Sequence, residues 1–323
     1  MLTGKAIIHQ QERLAKIIND TAARYYRKPL LLSGGLDSSI LSTVINPDLT
    51  VVISFGNTSQ DLFHSKIVAQ KYSRSHLERI IDFSEFNRLI PNVIRILKTF
   101  DPMEVRNSTI LFAGMMEVKK NGYLEVVTGD GADELFAGYN YLGKYYSDPK
   151  KLQEILHELW NYMHFACKDI AYAVGMKVHT PYLEEPLIGF ARRLDVKEKV
   201  QEEKGIKWGK YILRKAFEDK LGSLVWRSKM ALEHGSEVSK ATEFIEDAID
   251  DQEFQSEKKN TFSEHVSIRT KEQLYYYRIY RSFFPPPFEE SGSAQRCAHC
   301  AACLREPGRY CDTCGAFPLT PWR

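Results

Sequence analysis

Apolar residues recur in two alternating rhythms along the first half of the chain. From residue 8 to 27, Ile8, Leu14, Ile17, Ile18 and Ala22 fall at helical spacing. The next stretch, PLLLSGGLDSS, reads as a short buried strand that breaks into a glycine turn, with a helix beginning near Ser38. Three further apolar runs, TVVISFG (50–56), LERIIDF (77–83) and LEVVTGD (124–130), alternate with segments of helical length such as DLFHSKIVAQKYS and NSTILFAGMMEVKKNG. This alternation predicts βαβ units and an α/β fold whose parallel sheet is covered on both faces. From about 150 to 282 the rhythm turns helical, in KKLQEILHELWNYMHFACKDIAYAVG, EEPLIGFARRL, KYILRKAFEDKL and KEQLYYYRIYRSFF, with no strand-rich block between them. A proline stop and a polar stretch, FPPPFEESGSAQ, then predict a linker. The expected organisation is an α/β core over 1–150, a helical remainder over 151–283, a linker over 284–296 and a cysteine-rich module over 297–323.

Composition narrows the class. With 43% hydrophobic and 27% charged residues, 323 residues suffice for one sizeable core and a smaller module. The 44 basic and 42 acidic side chains leave a net charge of +2, without the global basic excess that marks a phosphate-backbone binder. No apolar run approaches the ~20 residues that cross a bilayer, and the N-terminal stretch lacks a signal-peptide core. A cytoplasmic protein without membrane contact is expected.

Two loops carry candidate chemistry. Ser33-Gly34-Gly35-Leu36-Asp37-Ser38-Ser39 falls where a strand ends and a helix begins, where backbone N–H groups and the helix dipole favour phosphate. The glycines allow close approach of an anion, and no GK[ST] follows, so this is not a Walker A loop. Thr128-Gly129-Asp130-Gly131-Ala132-Asp133-Glu134 follows another predicted strand and should emerge at the same sheet edge. Asp37 and Asp133 are then candidates to share Mg²⁺ on a triphosphate, since carboxylates crowded there require a balancing cation.

In their order, these residues resemble the asparagine synthetase family and its β-lactam synthetase relatives, which use a PP-loop ATP pyrophosphatase fold. SGGLDSS is similar to the family's pyrophosphate loop, VRNSTILFA (105–113) to its amino-acid pocket, TGDGADELFAGY (128–139) to its acidic signature, and WRSKMALEHGS (226–236) to its catalytic-lysine loop. HTPYLEEPLIGFA, KYILRKAFEDKL and LYYYRIYRSFFP extend the likeness to about residue 285. The resemblance implies that Ser33, Gly34, Gly35, Asp37, Ser38 and Ser39 cradle ATP phosphates, with Ser54 and Gly129 near the nucleoside and Asp37 and Asp133 on Mg²⁺. It further implies that Lys229 stabilises the transition states, Asp130 positions or deprotonates the attacking amine, and Arg106 binds a substrate carboxylate. The implied reaction amidates a small carboxylate, aspartate first, through an acyl-adenylate. Glutamine-using members begin with a catalytic cysteine and a glutaminase domain. Here Leu2 follows the initiator methionine, so ammonia from solution or from a separate glutaminase subunit is expected. HTPYLEE departs from the family's VPFLD by placing Glu184 where Asp is usual.

Five of the six cysteines lie between 297 and 314, which in a reducing compartment reads as a metal site. Cys297-x2-Cys300 and Cys311-x2-Cys314 form two knuckles suited to tetrahedral Zn²⁺. Cys303 is spare, and an iron–sulfur cluster completed by Cys167 or a second-pair cysteine is the alternative. CAHCAACLRE also resembles the cysteine stretch of 7-cyano-7-deazaguanine synthases, and Arg296, Arg305 and Arg309 with Tyr310 would offer tRNA a surface. That supports a second reading, a PP-loop enzyme that modifies tRNA or a nucleobase, for example by thiolation. The structural alternative for the module is a clip for the C-terminal part or a homodimer contact, and a non-catalytic nucleotide-binding scaffold is the third reading.

Overall fold

In the computed structural model, which describes residues 4–162, 164–289, 292, 295–304 and 310–319, five parallel strands form one sheet in the order β3-β2-β1-β4-β5. They are β1 (Leu30–Leu31), β2 (Leu49–Ser54), β3 (Ser75–Ile80), β4 (Glu125–Val127) and β5 (Lys177–His179). Leu30 pairs with Thr50 of β2 on one side and Val127 of β4 on the other. The chain runs outward through β2 and β3, then returns to the far side of β1. A crevice therefore opens between the C-terminal ends of β1 and β4, where the strand order reverses.

Helices cover both faces. In chain order they are α1 (Gly4–Ala22), α2 (Leu36–Ile45), α3 (Gln60–Tyr72), α4 (Phe83–Leu97), α5 (Pro102–Lys120), α6 (Ala132–Phe136), α7 (Pro149–Tyr162) and α8 (Ala166–Ala173). There follow α9 (Glu185–Arg193), α10 (Val196–Lys199), α11 (Tyr211–Ala216), α12 (Glu218–Leu221), α13 (Leu232–Gly235), α14 (Ala241–Asp247), α15 (Asp251–Ser263) and α16 (Lys271–Arg281). Alternation along the strands assigns each face. Leu30, Leu32 and Val127 join the apolar cluster with α1, α2, α9 and α11, whereas Leu31, Val51, Ile53 and Val126 pack on the side of α4, α5, α8 and α16. Among the described residues no helix is long and apolar enough to cross a membrane.

Three features refine the region read as mostly helical. β5 adds a fifth strand, too short and too polar at Lys177 and His179 to show as an apolar run. An antiparallel hairpin, β6 (Gln201–Glu203) with β7 (Ile206–Trp208), turns on Lys204 and Gly205, both at positive φ as a type I′ turn requires. The long helical stretch after 150 is divided between α7 and α8.

The cysteine segment is built into the main core. Cys297, Cys300, Cys311 and Cys314 share one apolar cluster with Phe100, Tyr277 and Tyr280. The Phe100 N–H donates to the Thr313 carbonyl at 2.8 Å, and the Thr99 hydroxyl to the Asp312 carbonyl at 2.7 Å. Arg296 donates to the Ala301 carbonyl at 2.8 Å, while Arg305 and Arg309 lie outside the described residues.

Candidate active site and tetracysteine centre

The loop after β1 is shaped by glycine. Gly34 sits at φ +69, and a Cβ there would fall 2.4 Å from the backbone nitrogen of Ser65 on α3. Gly35 caps α2 from an extended conformation, its N–H donating to the Ser33 hydroxyl at 3.2 Å. Leu36, Asp37 and Ser38 of the first turn of α2 line the crevice, and N–H groups at a helix start have no acceptor within the helix, which suits such a start to an anion. The loop after β4 meets it closely, since a Cβ on Gly129 would lie 3.2 Å from both Asp37 Cβ and the Ser38 nitrogen. Between them lies a cavity of about 250 Å³, lined by Ser33, Gly35, Asp37 and Ser38 from the first loop and Gly129, Asp130, Asp133 and Glu134 from the second. Lys210, Arg214, Arg227 and Lys229 complete its wall.

Charge in this cavity is closely matched. The Lys210 ammonium lies 2.6 Å from Asp37 and 2.6 Å from Asp133, and Lys229 lies 2.8 Å from the second oxygen of Asp133. Burial opposes the ionisation of Asp133, but Lys210 and Lys229 together hold its carboxyl well below the usual range. Burial pushes Asp37 up, with Lys210 pulling the other way. Lys229 is raised above the ordinary lysine value despite burial, because Asp133 and Asp37 face it. Asp61, buried near Arg227, is pushed up to about 6 by desolvation. Glu134 is pushed up to about 7 by the same cause, against the hydrogen bond from the Tyr139 hydroxyl.

The loop bearing Lys229 is held along its length. Arg227 donates to the Gly34 carbonyl at 2.9 Å, Arg214 to the Arg227 carbonyl at 3.0 Å, and Asn140 to the Lys229 carbonyl at 3.0 Å. Asp130 accepts a hydrogen bond from Thr128 and lies beside Cys167 of α8, whose thiol burial pushes up.

Other sequence candidates lie outside the cavity lining. Gly34 packs behind the loop against His64 and Ser65, and Ser39 is buried in the first turns of α2. The Ser54 hydroxyl donates to the carbonyls of Gly56 and Ser236, joining the end of β2 to the Lys229 segment. Arg106 donates to Glu233 and Glu272 at 2.6 Å each, so its guanidinium is engaged by two carboxylates of the protein itself. Sequence reasoning gave no role to Lys210, Arg214 or Arg227. A signal existed for Lys210: it is the N-cap of α11, where the helix dipole disfavours a cation unless carboxylates surround it.

The four cysteine sulfurs of the tail all lie within 4.8 Å of one another. Cys297 and Cys314 are 3.8 Å apart, Cys300 and Cys311 3.7 Å. A tetrahedron of about 2.3 Å zinc–sulfur bonds has edges of about 3.8 Å, so the donor set fits a single ion of that kind. The knuckles repeat one geometry, with Ala301 and Gly315 at positive φ and each N–H donating to the carbonyl of its first cysteine at 2.8 Å. Cys303 and Cys167 are both outside the foursome, and Cys167 lies by Asp130.

The chain matches the family described as "Asparagine synthase" over residues 29–156 and 146–296. It is 28% identical over 289 residues to the "Probable asparagine synthetase [glutamine-hydrolyzing]" of Dictyostelium discoideum, covering 79% of this chain and 51% of that protein. It is 30% identical over 276 residues to the Gallus gallus "Asparagine synthetase [glutamine-hydrolyzing]", covering 79% and 48%. With "Asparagine synthetase B [glutamine-hydrolyzing]" of Escherichia coli (strain K12) it shares 27% identity over 318 residues, 91% of this chain and 54% of the other. The chain thus spans about half the length of these relatives.

Proposed function

The chain belongs to the asparagine synthase family, and from that premise we propose that it uses ATP to convert a substrate carboxylate into an amide, releasing AMP and pyrophosphate. The observation that carries this reading is the meeting of an anion-binding helix start, two facing carboxylates and two lysines in one crevice. The first-turn N–H groups of α2, with Ser33 and Ser38, hold the phosphates. Asp37 and Asp133 are the pair suited to Mg²⁺, which when bound neutralises charge on the triphosphate and the departing pyrophosphate.

A substrate carboxylate oxygen attacks the α-phosphorus, and the bond to pyrophosphate breaks. Lys229 faces the charge that develops on the phosphoryl oxygens, where a fixed cation in a water-poor cleft has most effect. Ammonia then attacks the acyl carbon, its proton passes to the Asp130 carboxylate, and AMP leaves. Holding both reactants in one crevice makes this second step effectively intramolecular. Aspartate is the proposed carboxylate. Ammonia reaches the site from solution or from a glutaminase. The tail cysteines hold zinc as a resident structural ion.

The test is pyrophosphate release from Mg-ATP with aspartate and ammonia, run beside the same assay with bulk tRNA. Aspartate-dependent release with asparagine as product supports the reading. Release that requires tRNA overturns it in favour of nucleic-acid modification.

A further inference from the structure

We propose that Arg106 is a positioning residue that links the tetracysteine centre to the loop bearing Lys229. This rests on the reading above for the role of Lys229 and for the metal at the cysteines; the linkage itself stands on contacts.

On one side, Arg106 reaches the catalytic loop. Its Nη2 lies 2.6 Å and its Nε 3.3 Å from the same Glu233 oxygen. Glu233 is in α13, four positions after Lys229. Ser236, at the end of α13, accepts from the Phe55 N–H at 2.8 Å and from the Ser54 hydroxyl at 3.2 Å. Gly235 presses on Asp61, where a Cβ would lie 2.5 Å from a carboxylate oxygen. The Lys229 segment is thus fixed before the lysine by Arg214 and Arg227, and after it by Glu233 and Ser236.

On the other side, Arg106 is bracketed by two helix starts that the cysteine segment pins. Its Nη1 lies 2.6 Å from Glu272 in the first turn of α16. The adjacent Gln273 donates to the Cys314 carbonyl at 2.8 Å, and Arg269, just before the helix, donates to the Gly315 carbonyl at 3.2 Å. At the start of α5, five residues before Arg106, Asp101 caps the helix and accepts from the Tyr310 hydroxyl. Phe100 and Thr99 donate to the carbonyls of Thr313 and Asp312. Gly315 touches Asp101 so closely that a Cβ there would fall 2.2 Å from its carboxylate. The carbonyls from 312 to 315 therefore set where α5 and α16 begin, and Cys311 and Cys314 set those carbonyls.

The side chains between are ion pairs largely removed from solvent, with Arg106 at 13% exposure, Glu233 at 17% and Glu272 at 4%. Such a cluster tolerates little displacement, because each charge left without its partner carries an uncompensated desolvation cost. Loss of the ion from the four thiolates frees both helix starts, and the displacement reaches Lys229 through Glu233. A shift of about 1 Å at a catalytic group can cost about a hundredfold in rate.

The experiment uses the full chain, reversibly stripped of metal with a chelator and reloaded with zinc, beside Glu233→Gln, which leaves the cysteines intact. Three quantities are followed: bound metal, amide hydrogen exchange of peptide 226–236, and pyrophosphate release. Metal removal is expected to speed exchange in 226–236 and lower kcat by about tenfold or more, with KM for the carboxylate within about threefold, and zinc should reverse both. Glu233→Gln should keep the metal, show the same fast exchange, and respond little to the chelator, because the two changes act through one link. Unchanged exchange in 226–236 after demonstrated metal loss overturns the proposal. So does an Arg106→Lys variant that raises the carboxylate KM alone, which would make Arg106 a substrate ligand. If no carboxylate supports pyrophosphate release, the amidation reading fails, while the exchange measurement still decides the linkage.

Discussion

The Lys210 ammonium stands between Asp37 and Asp133, 2.6 Å from an oxygen of each. Gly138 makes room for it, since a Cβ there would fall 2.0 Å from Lys210 Cε. The two carboxylates follow the loops after β1 and β4, so Lys210 holds the crevice together by charge. Lys210→Met should leave them facing each other without their shared cation and destabilise the fold by roughly 3–5 kcal/mol. A divalent ion can take over that charge, so Mg²⁺ should raise the melting temperature of the variant more than that of the parent. No Mg²⁺ effect on the variant in a thermal melt would mean that the carboxylate pair does not bind the ion.

Lys229 is less deeply set, with 29% of its side chain exposed. Asp133 keeps Lys210 when Lys229 is lost, so Lys229→Ala should cost little stability. The rate of pyrophosphate release should nevertheless fall by about a hundredfold or more, the usual scale for losing one transition-state contact. A kcat near the parent value, measured by the pyrophosphate assay at saturating ATP, would remove Lys229 from the chemistry.

The Glu134 carboxyl titrates at about 7 in the folded chain, against an ordinary value of 4.5. Between these values the folded state holds a proton that the unfolded state has lost, so stability falls as pH rises from about 4.5 to about 7 and is level above that. The contribution is about 3 kcal/mol across the window. Glu134→Gln removes the titration, so the parent should lose stability relative to the variant as pH rises from 5 to 7.5. Urea titrations at four pH values test this, and parallel curves for the two proteins would contradict it.

Cys303 lies outside the foursome of sulfurs, which are otherwise complete. Cys303→Ser should therefore keep one metal ion per chain, whereas Cys311→Ser should lose it and melt at lower temperature. Elemental analysis of both purified proteins decides the ligand set, and metal loss from the Cys303 variant would overturn it.

Features built from neighbouring residues were legible in the sequence. The strand–glycine–helix passage at Ser33 to Ser39, the acidic turn at Gly129 to Asp133 and the paired CxxC knuckles at Cys297 to Cys314 each declare themselves within one short stretch of sequence. What stayed hidden depends on distant partners. Lys210 meets Asp37 across 173 positions, and Arg106 meets Glu233 across 127 and Glu272 across 166. A buried arginine looks the same in sequence whether its carboxylates come from a ligand or from the protein. The strand at Lys177–His179 was hidden for a different reason, since Val178 stands alone between Lys177 and His179 and makes no apolar run of the kind that marked β1 and β4.

The bond from Thr99 to the Asp312 carbonyl joins residues 213 positions apart. At about 5–20 residues per second, a translating ribosome needs about 10–40 s to deliver the second after the first. Throughout that interval Phe100, and later Tyr277 and Tyr280, wait without the cysteine segment that covers them. The nascent chain thus carries these aromatic side chains without their cover until its last knuckle emerges, an interval that follows from this chain's connectivity.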